Sequence, residues 1–529
     1  MTSLAATAAV QEPASSTSFA DRIKYRLEEM LAHPYSFLPS YAKRYETLMQ
    51  YAGDSLTPHQ AYAMTFLMGA DAARLYQDMP STAELQLPRV NAIDMTAQTG
   101  WYYFAGTCIG EDNKEFGILC MMFRYTLLPP SIASHFGLTE VENQIVDMQL
   151  SICVDGGRFY QIDPPVTSGV DGEVKVSDKL YLVAGKNFVQ PLSENGVFPM
   201  RLKVAGADRG EPNPVELEID LTFPTGGHYF LHGDDGAVPL VAGLGTRYFS
   251  IQNIAVDPAS SKITYDGKRI PVKSGEFWFD HQWGTGMAPN AVPRFAPMRA
   301  AANLTPPNPP GWDFFLCNLE EGRSISVSAL HTPASSKFIG QTGPKPPCTM
   351  DATVTGKYMD PFGTLFNVSG RLRVPEWRKT NHTPNGAKYS NIGTWVPHRW
   401  EFEFTEKVVP EELRQLTFVC ISDDAQALFF ANGTQYVEAA TRVYDAKGRL
   451  VGRGFGEAVG YVNPTRNAIA LAGIPVTDPM ISLFTQQPPS PLMKLLSFLY
   501  LLLPSKKNEL KKILACASMP PGPRPFDCG

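Results

Sequence analysis

Hydrophobic and polar residues alternate with a period of two over most of the chain between residues 98 and 465. The clearest case is the stretch from Gly275 to Gly284, which reads GEFWFDHQWG. This period predicts a strand bounded by glycine turns, because successive side chains of a strand point to opposite faces. One predicted face carries Phe277, Phe279, His281 and Trp283. The other carries Trp278, Asp280 and Gln282.

The same period predicts strands on both sides of this stretch. Before it, the predicted strands are 100–106, 116–125, 147–154, 179–184, 198–204, 215–223 and 248–254. After it, they are 312–317, 325–330, 352–358, 366–374, 400–405, 416–421, 436–444 and 450–461. The pairs Asp266-Gly267, Glu321-Gly322 and Lys447-Gly448 predict turns between adjacent strands. The pattern is typical of all-β units that are built from many short strands.

Both ends of the chain have a different pattern. Residues 1–17 are rich in Ala, Ser and Thr and are expected to be disordered, whereas helical spacing then predicts helices at 18–31 and 57–75. Near the other end, the apolar run 495–503 is flanked by lysines and is too short to span a bilayer. Such a segment is compatible with peripheral contact to a membrane surface, and equally with a helix docked on the β body.

The fold class expected from these patterns is mainly β, with two lipocalin-like barrel or sandwich units and helical extensions at both ends. The predicted division is 1–97 for the disordered start and helical extension, 98–288 for the first β unit, 289–311 for a Pro-rich linker, 312–465 for the second β unit and 466–529 for the apolar and basic tail.

Composition excludes several classes of function. Among 529 residues the net charge is −6 and no basic cluster occurs, so no nucleic-acid partner is expected. The eight cysteines lack metal-ligand spacing, and the start of the chain lacks the features of a secretory signal. A cytoplasmic, reducing location is therefore expected. No P-loop, Rossmann fingerprint or GxSxG motif is present, so no cofactor and no metal are predicted.

Asp280 is the residue that points to chemistry. A carboxylate between aromatic rings is costly to bury, so it must be paired, hydrogen-bonded or protonated. A protonated carboxyl in such a setting is a proton donor, and the alternative is a structural aspartate that binds backbone N–H groups. Glu438 and Glu457 in the last predicted hairpin are further candidate acids for a pocket, or belong to a solvated face. His228 and His232 make only a weak metal signal, since no third ligand is in register.

Several blocks resemble one family. The sequence WFDHQWG from Trp278 to Gly284 resembles the W-x-D-x-x-W-G block of the carotenoid hydratase (hydroxyneurosporene synthase) family, which includes kievitone hydratase-like and related lipocalin-like proteins. Other similar blocks are 103–106 with 116–117 and 123–124, 231–236 with 248–250, 311–313, 436–439 and 454–461. Together they follow the family's order over roughly residues 98–465.

The resemblance implies two lipocalin-like units with a hydrophobic site in or between them, and members that add water across a C=C bond of an isoprenoid. Asp280 occupies the acid position of the W-x-D block. Val437 stands where the family usually has Trp, and Val238-Pro239 stands where a basic residue often follows. Some relatives in fungal natural-product pathways are cyclases that add no water. The reaction therefore stays open at this point.

The leading expectation is a cofactor-independent hydratase of a hydrophobic small molecule. Asp280 would protonate an alkene, the ring of Trp278 would stabilise the cation, and His281 or Gln282 would orient the water. The expected catalytic residues are thus Asp280, His281 and Gln282. The expected substrate-binding residues are Trp278, Trp283, Tyr248, Trp312, Asp313, Tyr436, Glu438 and Glu457. The alternatives are a cyclase or isomerase at the same site, and a lipid-binding protein without catalysis.

Overall fold

The structure is a computed structural model that describes residues between 92 and 461. Within that range the longest gaps are 131–138, 209–214, 285–310, 332–337, 381–392 and 430–434, besides several shorter ones. The predicted N-terminal helices, most of the Pro-rich linker and the apolar tail lie outside the described residues. Among the residues that are described, no helix has both the length and the apolar character needed to cross a membrane.

The first sheet contains fifteen strands from the first half of the described chain. They are β1 Thr99–Gly110, β2 Glu115–Thr126, β3 Gln144–Val154, β4 Phe159–Ile162, β5 Thr167–Ser168, β6 Val174–Val176, β7 Leu182–Ala184, β8 Asn187–Pro191, β9 Met200–Asp208, β10 Val215–Phe223, β11 Tyr229–Leu231, β12 Ala237–Val241, β13 Leu244–Ala255, β14 Lys262–Tyr265 and β15 Lys268–Gly284.

β15 joins the two parts of this sheet. Its first residues pair with β14, which continues to β10, β9 and β8, and its last residues pair with β1 on one side and β13 on the other. β1 then continues through β2 to β3 and β4. All of these pairings are antiparallel. The residues of β15 between Glu276 and Gly284 pair with β1 and also with β13, so they have a neighbouring strand on both sides. This central position buries the stretch that the sequence singles out.

The second sheet contains nine strands. They are β16 Trp312–Leu319, β17 Ser324–Leu330, β18 Met350–Met359, β19 Leu365–Lys379, β20 Trp395–Phe404, β21 Gln415–Cys420, β22 Ala427–Phe429, β23 Gln435–Asp445 and β24 Leu450–Val459. A pairing between β21 and β23 closes eight of them into an antiparallel barrel, and β22 adds to β23 outside the closed path. Short 3-10 helices lie at Glu320–Gly322 and Glu411–Leu413.

The buried hydrophobic side chains form three clusters. One fills the first unit and includes Phe277, Phe279 and Trp283. Another fills the barrel of the second unit. The third, which we call the interface cluster, joins the outer faces of the two sheets. Its members are Tyr103, Ala105, Leu119, Met121, Phe123, Cys153, Phe159, Phe230, Trp278, Leu316, Met359, Ile421, Leu428, Ala440 and Phe455. The two units therefore pack together over a continuous apolar surface.

The prediction of a mainly β protein with two lipocalin-like units is confirmed by the two sheets. The predicted turn at Asp266-Gly267 is also confirmed, because both residues have positive φ, at 52° and 68°, as a tight two-residue hairpin requires. The prediction missed β4, β5, β6, β8, β12 and β22. Each has two to five residues, too few to show a period of two. The exact limits of the predicted units remain a prediction.

Candidate functional site

A row of side chains crosses the first sheet at Asp280. Ser250 on β13 and Tyr103 on β1 lie directly opposite Asp280 on β15, one on each side. Directly opposed residues of antiparallel strands project from the same face and bring their side chains within about 5 Å. That face is the one that meets the second unit, since Tyr103 and Trp278 belong to the interface cluster. The predicted separation of the two faces of β15 is thus confirmed.

Both carboxyl oxygens of Asp280 accept hydrogen bonds. Trp278 Nε1 donates to Oδ1 at 2.6 Å, Ser250 Oγ donates to the same oxygen, and Tyr248 Oη donates to Oδ2 at 2.5 Å. The residue is only 2% exposed, and burial raises the pKa of Asp280 to about 7 although these three bonds favour the carboxylate. Asp280 is therefore a carboxyl that holds or releases its proton near neutral pH.

His232 extends this network by one more group. Its Nε2 lies 2.6 Å from Ser250 Oγ, and its ring stacks on Tyr248 with 3.7 Å between the ring centroids. Burial lowers the pKa of His232 well below its ordinary value, so the ring is neutral. Because Ser250 donates to Asp280, it accepts from His232, which fixes the tautomer with its proton on Nε2. The result is an ordered chain of donors that ends at Asp280.

A second row of side chains faces the interface from the barrel unit. Glu438 on β23 lies directly opposite Glu457 on β24, and Glu457 lies opposite Phe314 on β16. Tyr103 Oη reaches across from the first unit and donates to Glu438 Oε2 at 2.7 Å. Trp312 Nε1 donates to Glu457 Oε1. The two rows thus meet at the Tyr103–Glu438 hydrogen bond.

The two glutamates form a carboxyl pair with one shared proton. Burial raises the pKa of Glu457 to about 7, and burial together with the charge of Glu457 raises the pKa of Glu438 well above its ordinary range. Glu438 Oε1 is buried and receives a hydrogen bond from no donor in the described part of the chain. It is satisfied when Glu438 carries a proton that it donates to Glu457, and like charges side by side favour this arrangement.

Three carboxyl groups therefore lie buried between the two units. The charge of Asp280 further raises the pKa of both Glu438 and Glu457, so the three groups do not ionise together. Aromatic rings surround them, with Tyr248 and His232 each about 6 Å from the Phe314 ring. This arrangement can donate a proton to, and take one from, an apolar molecule at neutral pH.

Comparison with known proteins places this geometry in a family. The model of the AttH-like family matches residues 78–342, half of the chain and the whole of the first sheet. The chain belongs to the AttH-like family. This agrees with the broad resemblance found in the sequence blocks. Among curated proteins, none matches the chain.

Solved structures similar to this AttH-like chain share its fold. An AttH structure from Nitrosomonas europaea is 16% identical, covers 73% of this chain and 100% of its own, and has a TM-score of 0.50. Kievitone hydratase from Nectria haematococca is 12% identical over 73% of this chain and 97% of its own, with a TM-score of 0.44. CghA with Sch210972 is 11% identical over 74% and 97%, with a TM-score of 0.27. The first likeness shows the fold, and the two weaker ones support no conclusion about this chain.

Some of the predicted site residues of this AttH-like chain lie elsewhere. His281 and Trp283 point away from Asp280 into the core of the first unit, where their rings stack at 4.3 Å and His281 also stacks on Tyr102 at 4.4 Å. The prediction that His281 orients water beside Asp280 is therefore wrong, and Trp283 is a core residue. Odd-numbered residues of this part of β15 face the core, so neither side chain reaches the interface.

Gln282 shares the face of Asp280, as predicted, but its amide Nε2 donates to Thr246 Oγ1 at 2.9 Å. Asp313 lies on the inner face of β16 within the barrel, where it accepts hydrogen bonds from Tyr461 Oη at 2.8 Å and from His331 Nε2 at 3.2 Å. Asp313 therefore has a structural role inside the second unit and is not part of the site. Tyr436 lies opposite Val459 in the barrel, and its side chain is outside the described part.

The structure brings together Asp280, Trp278, Tyr248, Trp312, Glu438 and Glu457, all of which the sequence had singled out. Sequence reasoning missed the roles of Tyr103, Ser250 and His232. Tyr103 and Ser250 lie in blocks that carry the family resemblance, but only the register of β1, β13 and β15 shows that they flank Asp280. The spacing of four residues pairs His232 with His228, but His228 is exposed, whereas His232 is buried against Ser250.

Proposed function

We propose that this AttH-like chain is a cofactor-independent hydro-lyase that adds water to a C=C bond of a hydrophobic isoprenoid or a related natural product. The observation that carries the proposal is the Asp280 carboxyl, buried at the contact of the two units with a pKa near 7. Protonation of an isolated alkene needs an acid that is still protonated at neutral pH and is shielded from water. The sequence blocks that resemble the carotenoid hydratases agree with this reaction.

Proton delivery passes through Tyr248. When Asp280 is protonated on Oδ2, the 2.5 Å hydrogen bond to Tyr248 has the opposite direction to that in the carboxylate form. Oδ2 then donates to Tyr248 Oη, and the hydrogen of the tyrosine hydroxyl points outward. Transfer of both protons in one direction leaves Tyr248 neutral and Asp280 ionised. Burial and the charge of Asp280 raise the pKa of Tyr248 well above its ordinary value, so a free phenolate is avoided. Ser250 and Trp278 then stabilise the new carboxylate by their hydrogen bonds.

The carbocation that follows is stabilised by rings and by charge. Trp278 and Phe230 pack together beside Asp280, and Phe314 faces Tyr248 from the second unit. A cation over such a ring gains about 0.5–2 kcal/mol, and the nearby carboxylate adds to this. The site therefore favours a tertiary cation, such as a trisubstituted isoprenoid alkene gives on protonation.

Capture by water completes the addition. The Glu438–Glu457 pair can accept the proton that the attacking water releases, since it already holds one proton and one negative charge. The new C–H bond takes its proton from Tyr248, the new C–O bond comes from water, and the proton of that water enters the carboxyl cluster. The cluster as a whole ends the cycle with the number of protons with which it began, and no redox partner is needed.

The second candidate is a cyclase or isomerase at the same site. The enclosure of Asp280, Tyr248 and Trp278 between two packed sheets favours it, because a cation shielded from water meets a second double bond more readily than a solvent molecule. Under this alternative the same acid starts the reaction, and the product has the formula of the substrate. A lipid-binding protein without catalysis is the third reading, in which Asp280 only connects strands.

The test uses purified full-length protein, a panel of isoprenoid and polyketide polyenes, and water enriched in heavy oxygen. Product carrying one heavy oxygen supports hydration. An unlabelled isomer of a substrate contradicts hydration and favours the cyclase. Ligand binding without any product, across a panel that includes trisubstituted alkenes, contradicts both enzymatic proposals. Asp280→Asn is the control, because hydration that survives this change would rule out Asp280 as the acid.

A further inference from the structure

The row that contains Asp280 continues beyond Tyr103 to a second polar residue. Tyr103 on β1 lies opposite Met121 on β2, and Met121 lies opposite Gln149 on β3. These directly opposed residues share one face, and Met121 belongs to the interface cluster. Adjacent strands are about 4.8 Å apart, so Gln149 lies about 14 Å from Asp280 along the row. The proposed reaction at Asp280 has no use for a polar group at that distance.

Gln149 is buried, and its side-chain oxygen lacks a hydrogen-bond partner among the described residues. The residue is 3% exposed, and its Oε1 has no partner among the described residues. The neighbours of Gln149 on this face of β3 include Ser151 and Cys153, and Cys153 belongs to the interface cluster. A buried carboxamide without a partner is costly, and a purely structural role would be filled better by leucine or methionine.

Trp101 supplies a second unsatisfied group on the same face. It precedes Tyr103 by two residues on β1, and its ring packs edge-on against Phe123 at 5.5 Å between centroids. Its indole Nε1 is buried and has no hydrogen-bond partner in the described part of the chain. Tryptophan N–H groups usually find a partner when they are buried. An unpaired donor and an unpaired acceptor thus lie on the part of the interface that extends from Tyr103 to β3.

A hydroxyl group suits either position, because it can donate to Gln149 Oε1 or accept from Trp101 Nε1. We infer that the substrate is an apolar unsaturated chain that ends in a hydroxyl or similar hydrogen-bonding head group, held by Gln149 and Trp101 while its far double bond lies at Asp280. The inference rests on the proposed function for the placement of the double bond. It distinguishes an oxygenated isoprenoid from a pure hydrocarbon such as a carotene.

The experiment measures binding and does not need turnover. Farnesol has a terminal trisubstituted alkene at one end and a hydroxyl at the other, and the matched probe is the same triene with hydrogen in place of the hydroxyl. Dissociation constants of both probes are measured by quenching of tryptophan fluorescence for the full chain and for Gln149→Leu. Comparing each probe between the two proteins removes the difference in hydration of the free probes.

We expect Gln149→Leu to weaken farnesol binding about tenfold and to leave the hydrocarbon within about twofold of its original value. Trp101→Phe, which keeps a ring and removes the N–H, should act in the same direction. Met121→Leu lies between Tyr103 and Gln149 and is the matched control, which should change both probes equally. Without ligand, Gln149→Leu should unfold at an equal or higher temperature, since it removes an unsatisfied buried amide.

Equal changes for farnesol and the hydrocarbon would overturn the inference, as would a failure of farnesol to bind. A clear loss of thermal stability in Gln149→Leu would also overturn it, because the amide would then have a structural partner. The two proposals fail separately. Selective farnesol binding without heavy-oxygen incorporation refutes hydration alone, whereas hydration of both probes with equal kcat/KM refutes the head-group site alone.

Discussion

The Tyr103 hydroxyl donates a 2.7 Å hydrogen bond to Glu438, and these residues belong to different sheets, 335 positions apart in the chain. Tyr103 also lies directly opposite Asp280 on the neighbouring strand. The bond therefore connects the acid of the first unit to the carboxyl pair of the second. It explains why the candidate site exists only when the two sheets are packed together.

Removing this bond should destabilise the protein. In Tyr103→Phe the carboxyl of Glu438 stays buried and loses its donor, which should lower the free energy of unfolding by about 1–3 kcal/mol. Tyr102→Phe is the matched control, because the neighbouring Tyr102 hydroxyl is buried without a partner in the described part, and its loss should cost little. Chemical denaturation measures both. Equal losses for the two variants would contradict the role of Tyr103.

Replacing Asp280 should abolish most of the activity and leave the fold intact. Loss of a positioned general acid typically lowers kcat by about 10²- to 10⁴-fold, and Asp280→Asn keeps the size of the side chain. The control is Asp313→Asn, a change to a buried aspartate of the barrel that contacts Tyr461 and His331 instead of the site. Turnover of a substrate identified in the polyene panel measures both. If Asp313→Asn costs as much turnover as Asp280→Asn, the assignment of Asp280 is wrong.

Activity should fall as the pH rises through about 7, because Asp280 must be protonated to act and its pKa lies there. The hydrogen bond from Ser250 favours the carboxylate, so Ser250→Ala should raise the pKa of Asp280 and move this alkaline limb to higher pH. Ser326→Ala removes a buried hydroxyl without a partner in the described residues and should leave the limb in place. A pH profile of kcat/KM measures the position of the alkaline limb in the parent protein and in each variant. A limb that moves to lower pH in Ser250→Ala would refute the assignment.

Stability should depend on pH in the same range. The pKa of Asp280 is raised from its ordinary 3.8 to about 7, so the folded state binds this proton more tightly than the unfolded state. The resulting stabilisation is present at low pH and is lost as the pH rises to about 7. Between pH 5 and pH 8 the loss from this group is about 2–3 kcal/mol.

Asp280→Asn should remove that part of the pH dependence, while Glu457, with a pKa also raised to about 7, keeps its own part. Denaturant titrations of the parent protein and the variant at several pH values make the comparison. A variant whose curve coincides with that of the parent protein between pH 5 and pH 8 would show that Asp280 does not titrate in this range, which would contradict the prediction.

The sequence predicts the acid well and its partners poorly. Asp280 stands out because alternation places it between Trp278 and Gln282 on one face of a ring-rich strand, and that local signal needs no knowledge of the fold. Ser250 and Tyr103 become neighbours of Asp280 only through the register of strands 30 and more residues away, which local patterns do not contain. The same limit explains the gaps in strand prediction, since strands of two to five residues take their conformation from the partner strand.

The errors at the site have a similar origin. The sequence block groups His281 and Trp283 with Asp280, although alternation already places them on the opposite face of β15 from Asp280. Asp313 follows Trp312 in the chain, but only Trp312 faces the interface, where it contacts Glu457. Nearness in sequence therefore predicts a shared site less well than the alternation of faces along a strand, in which every second residue lies on the same side. Which unit each face meets could be learned only from the packing of the two sheets.

The most direct test of the account measures the protonation of Asp280 itself. Infrared difference spectra between acidic and alkaline buffer report the C=O stretch of protonated carboxyl groups, and subtraction of the Asp280→Asn spectrum isolates the contribution of Asp280. The account predicts a carboxylic acid band that is present in the parent protein at pH 6, disappears with a midpoint near pH 7 and is absent from the variant. A parent protein whose band from Asp280 is already lost near pH 4, as for an ordinary aspartate, would contradict the central claim.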